Sequence, residues 1–374
     1  MSRNNRLIPA AITAIAGLSL VAVATPLANA APPSPDPVVV ATGLNNPRQL
    51  SVGPGQRLYV AEAGTADVCG PIPDAPPAFQ ACGFTGSITE VNGNQQRRVV
   101  TGLPTLDFNG EVVGASDVDV RGNNITVLIG GLAGAAEFRG NLPAAYAAFG
   151  TLRTGSLKSD VLTRADLALA ADLNAYEVAN DPDGNGPDSN AVGFTALNSK
   201  NWAVVDAGGN SLLTVGKRGE ALVEVFPNGT AVPNPFPPPL SMVEPQAVPT
   251  DVAVGPDGAF FVSQLTGFPF PTGGSTIWRV TPDGQRTVYA TGLTMVTSLA
   301  WKGNTLYAVQ LDDDNFFDGH VGSLRKVTPG GSVHKAVADG LDAPYGVAIR
   351  GNSAFVTTGS ISAGGGEVVS INLR

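Results

Sequence analysis

Apolar and polar residues alternate with a period of two along most of this chain, in short runs cut by turn residues. That pattern predicts β-strands with inward- and outward-facing sides. Thr250–Leu293 shows it most regularly, with alternating runs at Asp251–Val254, Ala259–Ser263, Ser275–Val280 and Arg286–Thr291. Pro256-Asp257-Gly258 and Pro282-Asp283-Gly284 separate the first pair and the last pair. Pro presets φ at the second position of a turn, and Asp and Gly tolerate the left-handed conformation that follows. The stretch therefore predicts a four-stranded antiparallel meander. Such a sheet cannot bury both faces alone, so recurrence of the pattern predicts sheets stacked radially.

The pattern recurs. A first unit reads Gln49–Val52, Arg57–Ala61, Gly86–Val91 and Arg97–Leu103. A second begins at Ser116–Val120 and Asn124–Ile129, then carries an Ala/Gly-rich insert, with its last two strands expected at Phe149–Arg153 and Ser159–Thr163. Arg164–Val178 is the one stretch with helical spacing, and Asn180–Asn190 is a polar, Gly-rich loop. The third unit is Val192–Ala196, Asn201–Val205, Ser211–Val215 and Leu222–Phe226. After a Pro-rich connector and the Thr250–Leu293 unit, a fifth is Thr297–Trp301, Thr305–Gln310, Ser323–Val327 and Val333–Ala338. A sixth has only Tyr345–Ile349, Ala354–Thr358 and Glu367–Asn372 before the sequence stops. Its missing outer strand matches Val38–Leu44 (VVVATGL), which repeats the Val288–Leu293 ending VYATGL. The expected fold is all-β, a six-bladed β-propeller with an N-terminal strand closing the last blade; a sandwich or two separate β domains is the alternative. Closure by that strand also removes an exposed sheet edge.

The N-terminus changes the picture of where this fold works. Arg3 and Arg6 precede an apolar stretch from Leu7 to Leu27 that ends at Ala28-Asn29-Ala30, the form of a cleaved secretory signal peptide. Residues 1–30 are thus expected to be removed, 31–37 to form a Pro-rich linker, and 38–374 to form a single propeller domain with an insert at about 130–190. No later segment reaches the roughly 20 apolar residues that cross a bilayer. A secreted or periplasmic, monomeric protein is expected. Losing Arg3 and Arg6 takes the formal charge from −9 to −11, which disfavours nucleic acid as a partner. The two cysteines, Cys69 and Cys82, share one Pro-rich insert. In an oxidising compartment they are expected to form a disulfide, with two free thiols the alternative.

Candidate chemistry follows from the blades. Loops from outer to inner strands, and from second to third strands, share one face of a propeller. They bring Arg48, Asp117, Asn190, Asp251, Ser298 and Tyr345 into the inner strands, and Glu62, Asp206, Gln264, Asp312 and Thr358 out of the second strands. Asn210 closes the turn after Asp206. Carboxylates and amides around one axis suit a ligand or cation; a solvated channel with Asp and Asn capping local turns is the other reading. Asp181-Pro182-Asp183-Gly184-Asn185-Gly186 spaces oxygen ligands as Ca²⁺ sites do, with Asp181, Asp183 and Asn185 as candidates. Val192 stands where an EF-hand requires Glu, so the alternative there is a plain Asx-type turn. Asp312-Asp313-Asp314 reads as an exposed acidic loop. The only histidines are His320 and His334, and no hydrolase, zincin, P-loop or dinucleotide motif occurs.

NNPRQL (Asn45–Leu50), LYVAEAG (Leu58–Gly64), NAYEVANDPDG (Asn174–Gly184), DSNAVGF (Asp188–Phe194) and VVDAGGNSLLTV (Val204–Val215) together resemble the ScyD/ScyE family of exported propeller proteins. Ala191 departs from the Pro the family places there. The resemblance implies export and a propeller fold, and it implies no catalytic residues. The expected function is ligand or partner binding, of a small molecule or an envelope protein, without defined catalysis. The alternative is a Ca²⁺-dependent hydrolase or lactonase of the gluconolactonase-like type, its ion held by residues such as Glu62, Asn190, Asp206 and Asp251; a quinone-type dehydrogenase is a third reading. Amino-terminal sequencing of the exported protein is expected to start at Ala31; a chain that still begins at Met1 would overturn the signal-peptide assignment.

Overall fold

Side chains that alternate across a strand bury both faces of a sheet only if each face meets another sheet. The protein meets that requirement by closing a ring. Its computed structural model describes residues 36–66, 79–108, 111–131, 139–140, 142–158, 161–236, 241–314 and 319–373. The signal-peptide region and Cys69 lie outside them; Cys82 lies inside and is buried.

Six antiparallel sheets follow one another in the chain. Blade one is Pro47–Val52, Leu58–Glu62, Phe79–Asn92 and Gln95–Phe108; blade two is Ala115–Arg121, Asn124–Ile129, Thr151–Ser156 and Ala168–Asp172. Blade three is Ala191–Ala196, Trp202–Asp206, Ser211–Gly216 and Gly219–Val225; blade four is Pro249–Val254, Phe260–Gln264, Ser275–Val280 and Arg286–Leu293. Blade five is Val296–Lys302, Thr305–Gln310, Val321–Lys326 and Lys335–Asp342. Blade six is Val347–Arg350, Ser353–Thr358 and Gly366–Asn372, and Val38–Leu44 completes it by pairing antiparallel with Gly366–Asn372. The fold is thus a six-bladed β-propeller closed by the strand from the other end of the chain.

The core lies between the blades. In blade one, Tyr59 and Ala61 pack with Val118, Ile125 and Val127 of blade two, while Leu58 and Val60 pack with Phe355 and Val368 of blade six. In blade three, Trp202 and Val204 pack toward Leu128 and Leu152 of blade two, and Ala203 and Val205 toward Val252 and Val262 of blade four. The repeated Thr-Gly-Leu ending serves the same purpose. Gly43, Gly102 and Gly292 have φ of 69°, 71° and 75°, where glycine has no side-chain penalty. The following Leu44, Leu103 and Leu293 are then buried between blades.

Blade two departs from the expected strands. Its third strand is Thr151–Ser156 and its outer strand is Ala168–Asp172, not Ser159–Thr163. Leu162 and Thr163 instead pair in parallel with Val100 and Thr101, on the outer edge of blade one. The expected helix over Arg164–Val178 is also corrected. A capping box between Thr163 and Asp166 closes a short 3₁₀ turn at Arg164–Asp166. The α-helix runs only over Leu173–Asn180, starting where the Asp172 carboxylate accepts the Ala175 N–H at 2.9 Å. Two capping signals in one stretch split it, and Ala171 between them is buried against Leu152 and Leu173.

The closing strand should therefore carry measurable stability. Leu44 is 1% exposed between blades six and one. Leu44→Ala is expected to cost about 2–5 kcal/mol in urea unfolding; a loss under about 0.5 kcal/mol, the size expected of a surface site, would contradict the closure.

Candidate functional site

Inner strands run along the propeller axis, so their side chains meet there. A cavity of about 470 Å³ is lined from all six inner strands, including Gln49, Asp117, Phe194, Asp251, Ser298 and Val347. Asp119, Arg121 and Trp301 also line it. Asp119 and Arg121 form an ion pair at 2.8 Å.

Asp117 and Asp251 use the same construction. Each carboxylate accepts the N–H of the next residue and the N–H of a residue in the following blade. Asp117 takes Val118 at 2.7 Å and Phe194 at 2.8 Å. Asp251 takes Val252 at 2.7 Å, Leu299 at 2.8 Å and the Ser298 hydroxyl at 3.0 Å. Ser298 Oγ in turn accepts the Val347 N–H at 3.1 Å, and Gln49 Nε2 donates to the Thr297 carbonyl at 2.8 Å. These residues staple inner strands together. Burial pushes Asp251 up to about 6 despite its three hydrogen bonds. Burial, and then repulsion from Asp251, holds Asp117 well above the usual carboxylate range.

The other expected site residues are spread around the ring. Glu62 is fully buried and accepts from the Asn45 N–H at 2.8 Å, Ser87 Oγ at 3.1 Å, Thr89 Oγ1 and Arg98 Nη2 at 3.0 Å. Arg48 donates to the Ser360 and Val112 carbonyls at 3.0 and 2.7 Å and stacks 5.0 Å over Tyr345. Asn190 lines a second, much smaller pocket of about 30 Å³ with Arg48, Glu111 and Tyr345. Gln264 is buried at the end of its strand, opposite Pro249. Asp206 is fully buried and accepts Ser189 Oγ at 2.7 Å and the N–H groups of Asn190 and Gly209 at 2.6 and 3.2 Å. Burial raises its pKa.

A second assembly forms beside Asp206. Carboxylate oxygens of Glu177, Asp181 and Asp183 lie within 4.8 Å of one another. The helix Leu173–Asn180 supplies Glu177, and Asp181 is its C-cap, at φ 41°. Asp181 Oδ1 accepts the Gly186 N–H at 3.1 Å. Asp183 Oδ2 accepts Nδ2 of Asn185 at 2.9 Å and Nδ2 of Asn210 at 2.7 Å, so Asn185 presents its amide nitrogen to Asp183. Asn210 Oδ1 accepts the Val248 N–H at 2.9 Å. Glu177 is fully buried, and neither of its oxygens has a hydrogen-bond partner; Asp188 Oδ1 is likewise buried and unpartnered. Burial, reinforced by repulsion from Asp206 and Asp183, pushes Glu177 up to about 8. Burial and the same neighbours push Asp188 up to about 6. Sequence reasoning found Asp181 and Asp183 but missed Glu177 and Asp188. The readable signal was the four-residue spacing of Glu177 and Asp181, which places both on one helix face at its C-terminal end.

No model of a known protein family matches the chain, and no curated protein is similar to it. Solved structures are. A Bacteroides thetaiotaomicron VPI-5482 protein of unknown function superposes with a TM-score of 0.51 at 9% identity, over 90% of this chain and 72% of that one. A Staphylococcus aureus virginiamycin B lyase has a TM-score of 0.46 at 12% identity, over 91% and 99%. A Streptomyces coelicolor aldose sugar dehydrogenase in its PQQ-bound form has 0.33 at 17%, over 90% and 86%. At 9% identity the likeness to the first of these is one of fold alone.

The channel carboxylates set a pH dependence. Asp251 titrates near 3.8 when unfolded and at about 6 when folded. Between those values the unfolded chain gives up a proton that the folded chain keeps, so stability falls as pH rises through the window. The loss is on the order of 3 kcal/mol and is complete above the folded pKa. Denaturant unfolding at both ends of the window should show Asp251→Asn with a smaller drop than wild type. Equal drops in the two proteins would refute the assignment.

Proposed function

We propose that this chain is an exported, ScyD/ScyE-like binding propeller whose axial cavity takes a small polar ligand. The observation that carries the reading is the cavity itself. It has about 470 Å³ of space among Asp117, Asp119, Arg121, Asp251 and Trp301, a size and mixture of polar and aromatic groups suited to a small molecule. Asp117 and Asp251 are held rigidly by backbone N–H groups. The Asp119–Arg121 pair offers charges that a ligand can engage without disturbing those staples.

Binding is favoured over the Ca²⁺-dependent hydrolase reading by how the carboxylates are used. Glu62 accepts four hydrogen bonds from the fold, and Asp206 and Asp251 accept three each. Gathering them on one ion would mean abandoning those contacts. In this reading Ca²⁺ is a structural ion at the acidic cluster, not a catalytic ion on the axis. Export, and the Cys69–Cys82 disulfide that an oxidising compartment permits, belong to the same proposal.

Native mass spectrometry of protein recovered from its own exported fraction, followed by a thermal-shift screen of small sugars, amines and carboxylates, tests the reading. The expected result is a compound whose stabilising shift is lost in Asp119→Asn and Arg121→Gln. Shifts unchanged in both variants would place binding elsewhere and sink the axial site.

A further inference from the structure

We propose that Glu177, Asp181 and Asp183 bind one Ca²⁺, with Asp188 adding charge behind them, and that the ion clamps the helix Leu173–Asn180 and its loop onto the turn at Asp206–Asn210. This deepens the structural-ion part of the functional reading and rests on it. Two separate observations carry it. The first is convergence, with one oxygen from each of the three residues inside 4.8 Å, the spacing that oxygens take around a single cation. The second is Glu177. Its carboxyl is fully buried, reaches into the cluster and has no hydrogen bond at either oxygen. A buried carboxylate left so is strongly unfavourable, and protonating it would still leave polar atoms unmatched. A cation satisfies both oxygens at once.

The surroundings agree. Among the described residues, none of Glu177, Asp181, Asp183 or Asp188 forms an ion pair with Lys, Arg or His. The cluster sits at the C-terminal end of the helix, where the aligned peptide dipoles add negative potential. Gly209 leaves the space: a Cβ there would lie 2.5 Å from Glu177 Oε2. The amides of Asn185 and Asn210 orient Asp183, and the Gly186 N–H orients Asp181, yet each carboxylate keeps acceptor capacity for a metal. The donors are all oxygen and anionic, which selects a hard cation over zinc or copper. Donors drawn from a helix end and an irregular loop suit Ca²⁺, which accepts 6–8 ligands in flexible geometry, better than octahedral Mg²⁺.

The mature chain, stripped with EDTA and dialysed, is titrated with CaCl₂ or MgCl₂ by isothermal calorimetry and thermal unfolding. Wild type is expected to bind one Ca²⁺ with half-saturation at about 10⁻⁴–10⁻³ M, the range of extracellular modules, and Tm should climb with Ca²⁺ beyond that point. Mg²⁺ should shift it less. Glu177→Gln, which keeps the shape and loses the charge, should fold at least as stably in EDTA and bind Ca²⁺ roughly tenfold or more weakly. If that variant does not fold, Asp181→Asn supplies the same comparison. Asp119→Asn in the channel should keep the full Ca²⁺ response, which separates failure here from failure of the axial site. No Ca²⁺ response in wild type up to about 10 mM, or wild-type affinity in Glu177→Gln, would overturn the proposal.

Discussion

Each of the six blade sheets buries apolar side chains on both faces, and everything else follows from having to cover those twelve faces. The only arrangement that leaves none exposed is a ring in which each sheet covers two neighbours. Six hydrophobic clusters, one at each blade-to-blade interface, are the result. The interface between blades six and one is completed by Val38–Leu44, which crosses from the other end of the chain and adds Ala41 and Leu44 to the packing of Leu58 and Val60 on Phe355 and Val368. Opening that seam would expose one apolar face of each adjoining sheet and free the edge of blade six for pairing.

The ring makes a polar problem at its centre. Inner strands approach the axis with side chains and no opposing sheet, so the fold places hydrogen-bonding residues there. Asp117, Asp251, Ser298 and Gln49 tie inner strands to one another, Thr250 does the same through the Val296 carbonyl, and Thr357 ties the second strand of blade six to the inner strand of blade one through the Arg48 carbonyl. Carboxylates are thus enriched around the channel for a structural reason, at the expense of raised proton affinities. The same enrichment makes the face look catalytic in the sequence. Glu62, with its four partners, and Asp206, with three, show how fully such a residue can be absorbed by the fold. Glu177 is the informative exception, because it is as buried as Glu62 and has none of its partners.

Period two, Asp-Gly and Thr-Gly turns and a repeated unit are local signals, and they were sufficient for blade count, blade order and ring closure. Blade two was misread where local signals conflict. Leu162-Thr163 has strand character, but it adds to the edge of blade one, and Ala168–Asp172 takes the outer position because Ala171 fits the pocket made by Leu152 and Leu173. Choosing between those two segments requires knowing which neighbour each will face. Asp181 and Asp183 were legible as a cation motif because their spacing lies within one loop, whereas Asn185, the third member of that motif, proved to orient Asp183 with its amide nitrogen.

What the amino-acid sequence determined by itself was the six-bladed ring and its closing strand, since alternation and turn chemistry act over a few residues and repeat. Only the tertiary structure decided which polar residues are used up and which are left over. Asp251 and Glu177 are both carboxylates in polar-apolar surroundings, but Asp251 meets the Leu299 N–H of the next blade at 2.8 Å and Glu177 meets other carboxylates. The Asp251 partner is 48 residues away in the chain and reaches it only when blade five packs on blade four, whereas Glu177 meets the nearby Asp181 and Asp183 and is covered by the distant Gly209, which offers it no hydrogen bond.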